Sequence, residues 1–477
     1  MKDPTIAELK TTCWDSIKRM QDKKFSLTAK HLLPITPFYS KLFATYGVDA
    51  HKLKTVDDWK TEGLPLIKKA TYMKQWKDFV PKPSPKEARE IYSDLVIGKT
   101  EFYAKALFDN KIAREVKEYF YPKMIAFSAG TTTGQPTPFM ITGTQKQKMN
   151  ELMKEITGYL IKLYLNNVDT KGMNLFPYAP HIAWHAVHAA LENADLNLCT
   201  AAGGAIKTER LVQIASDAQP NILCGMVGYL KHRFLPMAIS AKIQLPKRTM
   251  FVNGATKIYE PERQKIRELA AKIGVAEAIV LDMYGASEMK HDLLPECNEH
   301  SGYHHVMPLA NIIRTVQTKG TTNEYIDEYN FSNGGFGAIW NIDGGGTILE
   351  GYLIGDYFDE ITTEPCSCGL KTETIRGITR VENLGLQLKL TGMVEEKIKG
   401  TRVNISELRA KVLAVKDVDE CQILVKKGKI TIKVVGKGTK SKISELLKKE
   451  EYTAEIKETK IDEILGEKMK FEGIKIE

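Results

Sequence analysis

A run of hydroxyl residues and glycines, Ser128-Ala129-Gly130-Thr131-Thr132-Thr133-Gly134-Gln135-Pro136, follows directly on the apolar stretch Met124-Ile125-Ala126-Phe127. More than any other feature, it narrows what the chain can fold into. Small residues after such a stretch leave backbone N–H groups free and let a phosphate approach closely. The Gly-x-x-x-x-Gly-Lys-Ser/Thr spacing is absent, so the loop is not a Walker A loop. On their own, Ser/Thr/Gly runs are more often plain surface turns. The motifs that follow it in order give it meaning.

The 477 residues are enough for about two or three domains and a large core. Hydrophobic content of 43% and charged content of 27% are ordinary for a soluble globular protein. No apolar stretch approaches the ~20 residues of a membrane span. The start, Met1-Lys2-Asp3-Pro4, has no apolar signal region. A cytoplasmic protein with no membrane partner is therefore expected. The net charge of +9 is mild and its lysines are spread out. It suits polyanions such as nucleotides or coenzyme A, and no nucleic-acid motif accompanies it. The 7 cysteines are odd in number, which argues against a disulfide framework.

Residues up to about 120 read as mostly helical and charged, with a breaker at Pro81-Lys82-Pro83-Ser84-Pro85. From about 120 to 290, strand-like runs (Asn221 to Cys224, Ala278 to Met283) alternate with helical patterns such as Pro261 to Gly274, predicting α/β layering with parallel strands. From about 305 to 390 the chain is strand-like, with turns at Gly334-Gly335 and Gly344-Gly345-Gly346. Near residue 392 the character changes. A helix pattern (Ser406 to Val415), a hairpin (Glu420 to Val425, then Ile430 to Val435) and a second helix carrying Ile443, Leu446 and Leu447 predict a small α+β domain over 392–477. The remainder, 1–391, is the expected large domain.

Further motifs follow the loop: Cys224-Gly225-Met226-Val227-Gly228-Tyr229-Leu230, Asn253-Gly254-Ala255-Thr256, Asp282-Met283-Tyr284-Gly285-Ala286-Ser287-Glu288, Tyr352-Leu353-Ile354-Gly355-Asp356, and Gly392 to Val403 at the change of character. Their order and spacing resemble the acyl/aryl adenylate-forming (AMP-binding) superfamily. The phenylacetate–coenzyme A ligase-like branch is the most similar, and it shares Pro37-Phe38-Tyr39-Ser40 followed by Gly47-Val48. The resemblance implies a large multi-layer adenylating domain and a small mobile C-terminal domain. In it, Ser128, Gly130, Thr133 and Gly134 bind phosphate, with Thr131 and Thr132 catalytic. Gly254 and Ala255 line the adenine pocket. Tyr284 stacks on adenine beside Gly285, and Ser287 contacts phosphate or the adenylate. Glu288 holds Mg²⁺, which suits a hard oxygen ligand beside phosphates. Asp356 accepts the ribose hydroxyls, a task for a carboxylate able to take two hydrogen bonds. Gly203-Gly204, Phe176, Tyr178 and Trp184 fit the acyl side. His181, His185 and His188 share a helical face with no carboxylate between them, and read as pocket wall or core.

The chain departs from that pattern in places. The loop has one Thr more than the family form, so either Thr132 or Thr133 is extra. The usual hinge Gly-Arg-x-Asp-Asp reads Gly392-Met393-Val394-Glu395-Glu396, with Arg380 or Arg402 as possible substitutes for the arginine. The C-terminal catalytic lysine of the family corresponds to Lys468, with Lys470 as second choice. Separately, Cys366-Ser367-Cys368 with upstream Cys297 and His304 offers three thiolates and an imidazole, which satisfy tetrahedral zinc with no open position. Some members of the branch have this arrangement; His300 and His305 are alternative ligands. The expected function is ATP-dependent activation of a carboxylic acid, aryl or arylacetic, then thioester formation with coenzyme A. The acceptor could instead be a carrier-protein thiol or an amine, and a degenerate, non-catalytic adenylate-binding protein is a further alternative. A homodimer is compatible with this reading.

Overall fold

The computed structural model describes residues 3–98, 100–102, 111–128, 136–165, 169–178, 182–194, 196, 198–200, 206–318, 325–380, 395–398, 401–426, 429–449, 453–465 and 474–476. The chain is a mixed α/β protein, as its alternating patterns predict. It divides into two compact units, each assembled from separated stretches. The first unites 1–160, 179–195 and 284–378; the second unites 161–178, 196–283 and 379–477.

The first unit begins with helices, including Trp14–His31, Pro37–Tyr46 and Lys69–Gln75. Trp14–His31 buries Ile17, Gln21, Phe25 and Thr28, the three-and-four spacing of one helical face. Pro37–Tyr46 opens on proline at its first turn and stops at Gly47, whose φ of +67° is the left-handed conformation that ends helices. The sheet of this unit is mainly antiparallel. Its strands run in the order Tyr325–Ile326, Leu66–Ile67, Glu350–Phe358, Gly335–Asn341, Asn311–Thr318 and Tyr329–Ser332. In a smaller sheet, Thr374–Arg376 lies between Tyr303–His304 and Glu360–Thr362 and pairs with both.

A separate hairpin, Pro122–Phe127 with Pro138–Thr142, brackets the hydroxyl-rich loop. Tyr72 pins its second strand. The phenol donates to the Pro138 carbonyl at 2.5 Å, and the ring stacks on Phe139 at 5.2 Å. The glycine turn 343–346 backs the same strand. A Cβ on Gly345 would lie 1.9 Å from the Tyr119 carbonyl oxygen, and one on Gly346 would lie 2.4 Å from that of Met140. Only glycine permits so close a backbone approach.

In the second unit, parallel strands run in the order Leu198–Thr200, Lys171–Asn174, Ile222–Cys224, Arg248–Gly254 and Glu277–Tyr284. Their near-continuous apolar burial is what a parallel sheet covered on both faces requires. The C-terminal stretch adds a four-stranded sheet. The expected hairpin, Glu420–Lys426 with Lys429–Val435, is at its centre, flanked by Ala454–Glu458 and Ile474–Ile476, both parallel to their neighbours. Ile430, Ile432 and Val434 are buried on one face, the period-two pattern of a half-buried strand. Helices Ile405–Leu413 and Lys440–Lys449 complete the α+β arrangement. Among the described residues, no helix is long and apolar enough to cross a membrane.

Candidate active site

Adjacent parallel strands of the second unit place Gly254 opposite Met283 at their carboxyl ends, the edge where α/β sheets form ligand sites. Asn253 organises this edge from within. Its amide donates to Asp282 Oδ1 at 2.7 Å and to the Thr256 carbonyl at 2.6 Å, and its Oδ1 accepts from the Val227 N–H at 2.7 Å. The turn after it is tight. Ala255 sits at φ +65°, and a Cβ on Gly254 would meet Phe176 Cζ at 3.4 Å. Asn253 belongs to a motif legible in sequence, but its positioning role depends on partners far along the chain.

In the first unit, the Tyr284 hydroxyl donates to Asp356 Oδ2 at 2.7 Å. The ring packs against Tyr303 (5.9 Å) and edge-on to Phe358 (5.8 Å). Asp356 is 7% exposed and follows Gly355, whose φ of +84° breaks the regular strand. The residues expected to meet adenine and ribose are thus hydrogen-bonded to each other. Gly285 follows, where a Cβ would strike the Leu293 side chain at 2.1 Å. A single 3₁₀ turn, Ser287–Met289, then carries Glu288.

Glu288 is 5% exposed. Lys69 Nζ lies 3.5 Å from Glu288 Oε1 and 3.4 Å from Ser128 Oγ. Ser128 closes the base of the hydroxyl-rich loop: its N–H donates to the Thr137 carbonyl at 2.9 Å, and its Oγ accepts from the Thr137 N–H at 3.2 Å. Burial raises the nearby Tyr72 phenol, with the Glu288 charge adding to the effect. Glu288, Ser128 and Lys69 therefore converge at the foot of the loop. Lys69 was not legible as a site residue: it sits among other lysines in Leu66-Ile67-Lys68-Lys69 with no motif to mark it.

Several expected site residues lie outside the described residues: Gly130, Thr131, Thr132, Thr133 and Gly134 of the loop, Gly203 and Gly204, His181, the hinge residues Gly392 to Val394, and Lys468 with Lys470. Of the residues expected on the acyl side, Trp184 stacks on His188 at 4.7 Å and meets His185 edge-on. Burial, with Lys146 and His188 adding charge repulsion, lowers the His185 imidazole below its usual range.

Cys297, His304, Cys366 and Cys368 come together, their ligand atoms all within 4.8 Å of one another. Cys297 Sγ is 3.5 Å from Cys366 Sγ and 3.2 Å from His304 Nε2, which is 3.7 Å from Cys368 Sγ. These separations suit the edges of a tetrahedron around an ion with metal–sulfur bonds of about 2.3 Å. Thr374 Oγ1 sits 3.0 Å from His304 Nδ1, holding the ring so that Nε2 faces the sulfurs. Hydrogen bonds from Cys297, then His304 and the Leu370 N–H, draw the Cys368 thiol down to about 3, against burial. The group is a closed set of soft donors able to hold a metal ion. The alternative ligand His305 is engaged elsewhere, with Nε2 2.9 Å from Asp292 Oδ2.

No protein-family model matches the chain, and no curated protein matches it either. Solved structures do. A 2-hydroxyisobutyryl-CoA ligase in the postadenylation state matches with a TM-score of 0.69 at 14% identity, over 99% of this chain and 92% of that one. The same ligase with 2-HIB-AMP gives 0.65 at 15% identity, over 97% and 89%. In the thioesterification state, with 2-HIB-AMP and CoA, it gives 0.54 at 15% identity, over 99% and 92%. The chain shares the fold of this ligase along nearly its whole length, as its motif order leads one to expect. At such identities the likeness is one of fold, and activity has to be argued from the site.

Proposed function

We propose that the chain is an AMP-forming acid–thiol ligase. The observation that carries this reading is the convergence of Lys69, Glu288 and Ser128 at the foot of a hydroxyl-rich loop. The Tyr284–Asp356 pair in the same unit supports it, as does the likeness to a ligase crystallised with acyl-AMP and CoA. A substrate carboxylate oxygen attacks the α-phosphorus of ATP, and pyrophosphate leaves with the electrons of the broken P–O bond. The thiol sulfur of coenzyme A then attacks the acyl carbonyl, AMP leaves, and the thiol proton passes to solvent. Phosphoryl-type displacement of this kind needs positioning and charge compensation more than covalent chemistry.

Each residue has a part in that scheme. Tyr284 and Asp356 orient the nucleoside. Ser128 with Gly130, Thr131, Thr132, Thr133 and Gly134 holds phosphate oxygens, and Lys69 places an ammonium where their charge gathers. Glu288 would hold Mg²⁺, which offsets phosphate charge when bound. Lys468 is the proposed lysine for the α-phosphate, carried by 392–477 as a small domain turning about Glu395–Lys397. Cys297, His304, Cys366 and Cys368 would hold a structural zinc, closed to substrate. The branch resemblance favours an aryl or arylacetic acid.

The test is acid-dependent ATP–pyrophosphate exchange with aryl, arylacetic and short hydroxy acids, on wild type and Lys468→Ala. Exchange with one class, collapsing in the variant, is the expected result. ATP binding without exchange for any acid would turn the assignment to a non-catalytic adenylate-binding protein.

A further inference from the structure

Away from the site, the second unit contains a buried cluster of ionisable side chains. Lys231 and Glu262 lie 3.3 Å apart (Nζ to Oε1), both in the 196–283 stretch. Arg409 and Glu420, both in the C-terminal stretch, lie 2.8 Å apart (Nη2 to Oε1). The pairs also cross: Lys231 Nζ is 2.7 Å from Glu420 Oε2, and Arg409 Nη2 is 3.4 Å from Glu262 Oε1. His232 Nε2 adds a contact of 2.8 Å to Glu420 Oε2. None of these four charged residues is more than 3% exposed.

The distribution of charge between the two sides sets this cluster apart. Lys231 with Glu262 is neutral, and so is Arg409 with Glu420. If the C-terminal domain withdrew, each side would keep its own pair and no lone charge would be stranded. A permanent core gains little from such a group, since apolar side chains of similar volume often stabilise as well or better. The rim repeats the theme with Arg233 to Asp462 and Lys265 to Asp419, both at 3.1 Å between exposed side chains. Pairs of this kind stabilise weakly and re-form readily. We infer that Lys231, Glu262, Arg409 and Glu420 form a separable latch that docks helix Ile405–Leu413 and strand Glu420–Lys426 against 227–271 and releases them intact. The inference rests on the mobility proposed above for 392–477, but its test needs neither substrate nor turnover.

Amide hydrogen exchange is measured on the full chain, wild type against Lys231→Met with Glu262→Gln, which removes one neutral half and leaves the other. The expected result is exchange about tenfold faster in helix Ile405–Leu413, whose own residues are unchanged, while strands Lys429–Val435 and Ala454–Glu458 keep wild-type protection. Unchanged exchange everywhere, or protection lost through those strands as well, would overturn the latch. The rim variant Arg233→Ser with Lys265→Ser disturbs no buried side chain and is read in the same way. Exchange about threefold faster, confined to Ile405–Leu413, supports the latch, and no change overturns it. A failed pyrophosphate assay would leave these outcomes standing.

Discussion

Lys69 holds its ammonium between a buried carboxylate and the serine at the base of the hydroxyl-rich loop. Replacing it with methionine keeps the stem and removes the charge. Lys69→Met is expected to slow ATP–pyrophosphate exchange about 10²–10³-fold, the range for losing one charge-stabilising group, with little change in unfolding midpoint. A large fall in the midpoint with unchanged exchange would assign Lys69 a purely structural role. Lys290 behaves differently. Its side chain is fully buried, and burial lowers its ammonium to about 8, against the pull of Asp343 and Glu350. The folded pKa lies below the unfolded value, so the cost of burying the charge is fully present below about pH 8 and relieved as pH rises towards the unfolded value. Lys290→Met should therefore raise the midpoint near neutrality, with the gain shrinking between about pH 7.5 and about pH 10. A pH-independent gain would remove ionisation as the cause.

At the scale of elements, the hairpin that carries the loop depends on the turn behind it. Thr347 accepts at Oγ1 from the Met140 N–H at 2.9 Å, and Gln145 Nε2 donates to the carbonyls of Asp343, Gly344 and Gly345. Gly345→Ala would drive a methyl into the Tyr119 carbonyl. The expected cost is about 1–3 kcal/mol, an overpacking penalty, with weaker ATP binding read by calorimetry as the hairpin shifts. The Cys/His cluster joins another set of elements, tying the Tyr303–His304 strand to the Cys366–Cys368 turn. Purified protein is expected to carry about one zinc per chain by elemental analysis, and Cys366→Ser to lose it along with thermal stability. Wild type without zinc would remove the metal assignment. Both elements were partly legible in the sequence. The apolar stretch Met124 to Phe127 marked where the loop begins, though not the hairpin that carries it, and residue type marked the ligands. The role of the glycine turn was not legible, because what Gly345 must avoid is a backbone atom of a distant residue that no local pattern names.

At the scale of the molecule, the sequence revealed the order of the motifs and, through it, the fold. A four-stranded sheet lies within 420–476, inside the stretch where the sequence changes character. A linear reading could not show that 379–477 groups with 161–178 and 196–283, because that grouping depends on long-range contacts such as Glu420 with Lys231. Those contacts bear on stability as a whole. Burial alone would raise the Glu420 carboxyl, but Lys231, Arg409 and the His232 hydrogen bond hold it well below the usual carboxylate range. A depressed carboxyl contributes stability that is complete above its unfolded value, near 4.5, and is lost as pH falls towards the folded one. Glu420→Gln strands Arg409 and Lys231 against Glu262 alone, so one net positive charge stays buried without compensation. Removing one partner of a buried pair costs about 3–5 kcal/mol, a sizeable share of a total stability of about 5–15 kcal/mol. Denaturant unfolding should thus show Glu420→Gln markedly less stable than wild type at neutral pH. From about pH 4 downward the two curves should draw together progressively, because the wild-type contribution is lost as pH falls from the unfolded value towards the folded one. Parallel curves across that range would mean that the Glu420 charge adds nothing to holding the unit together.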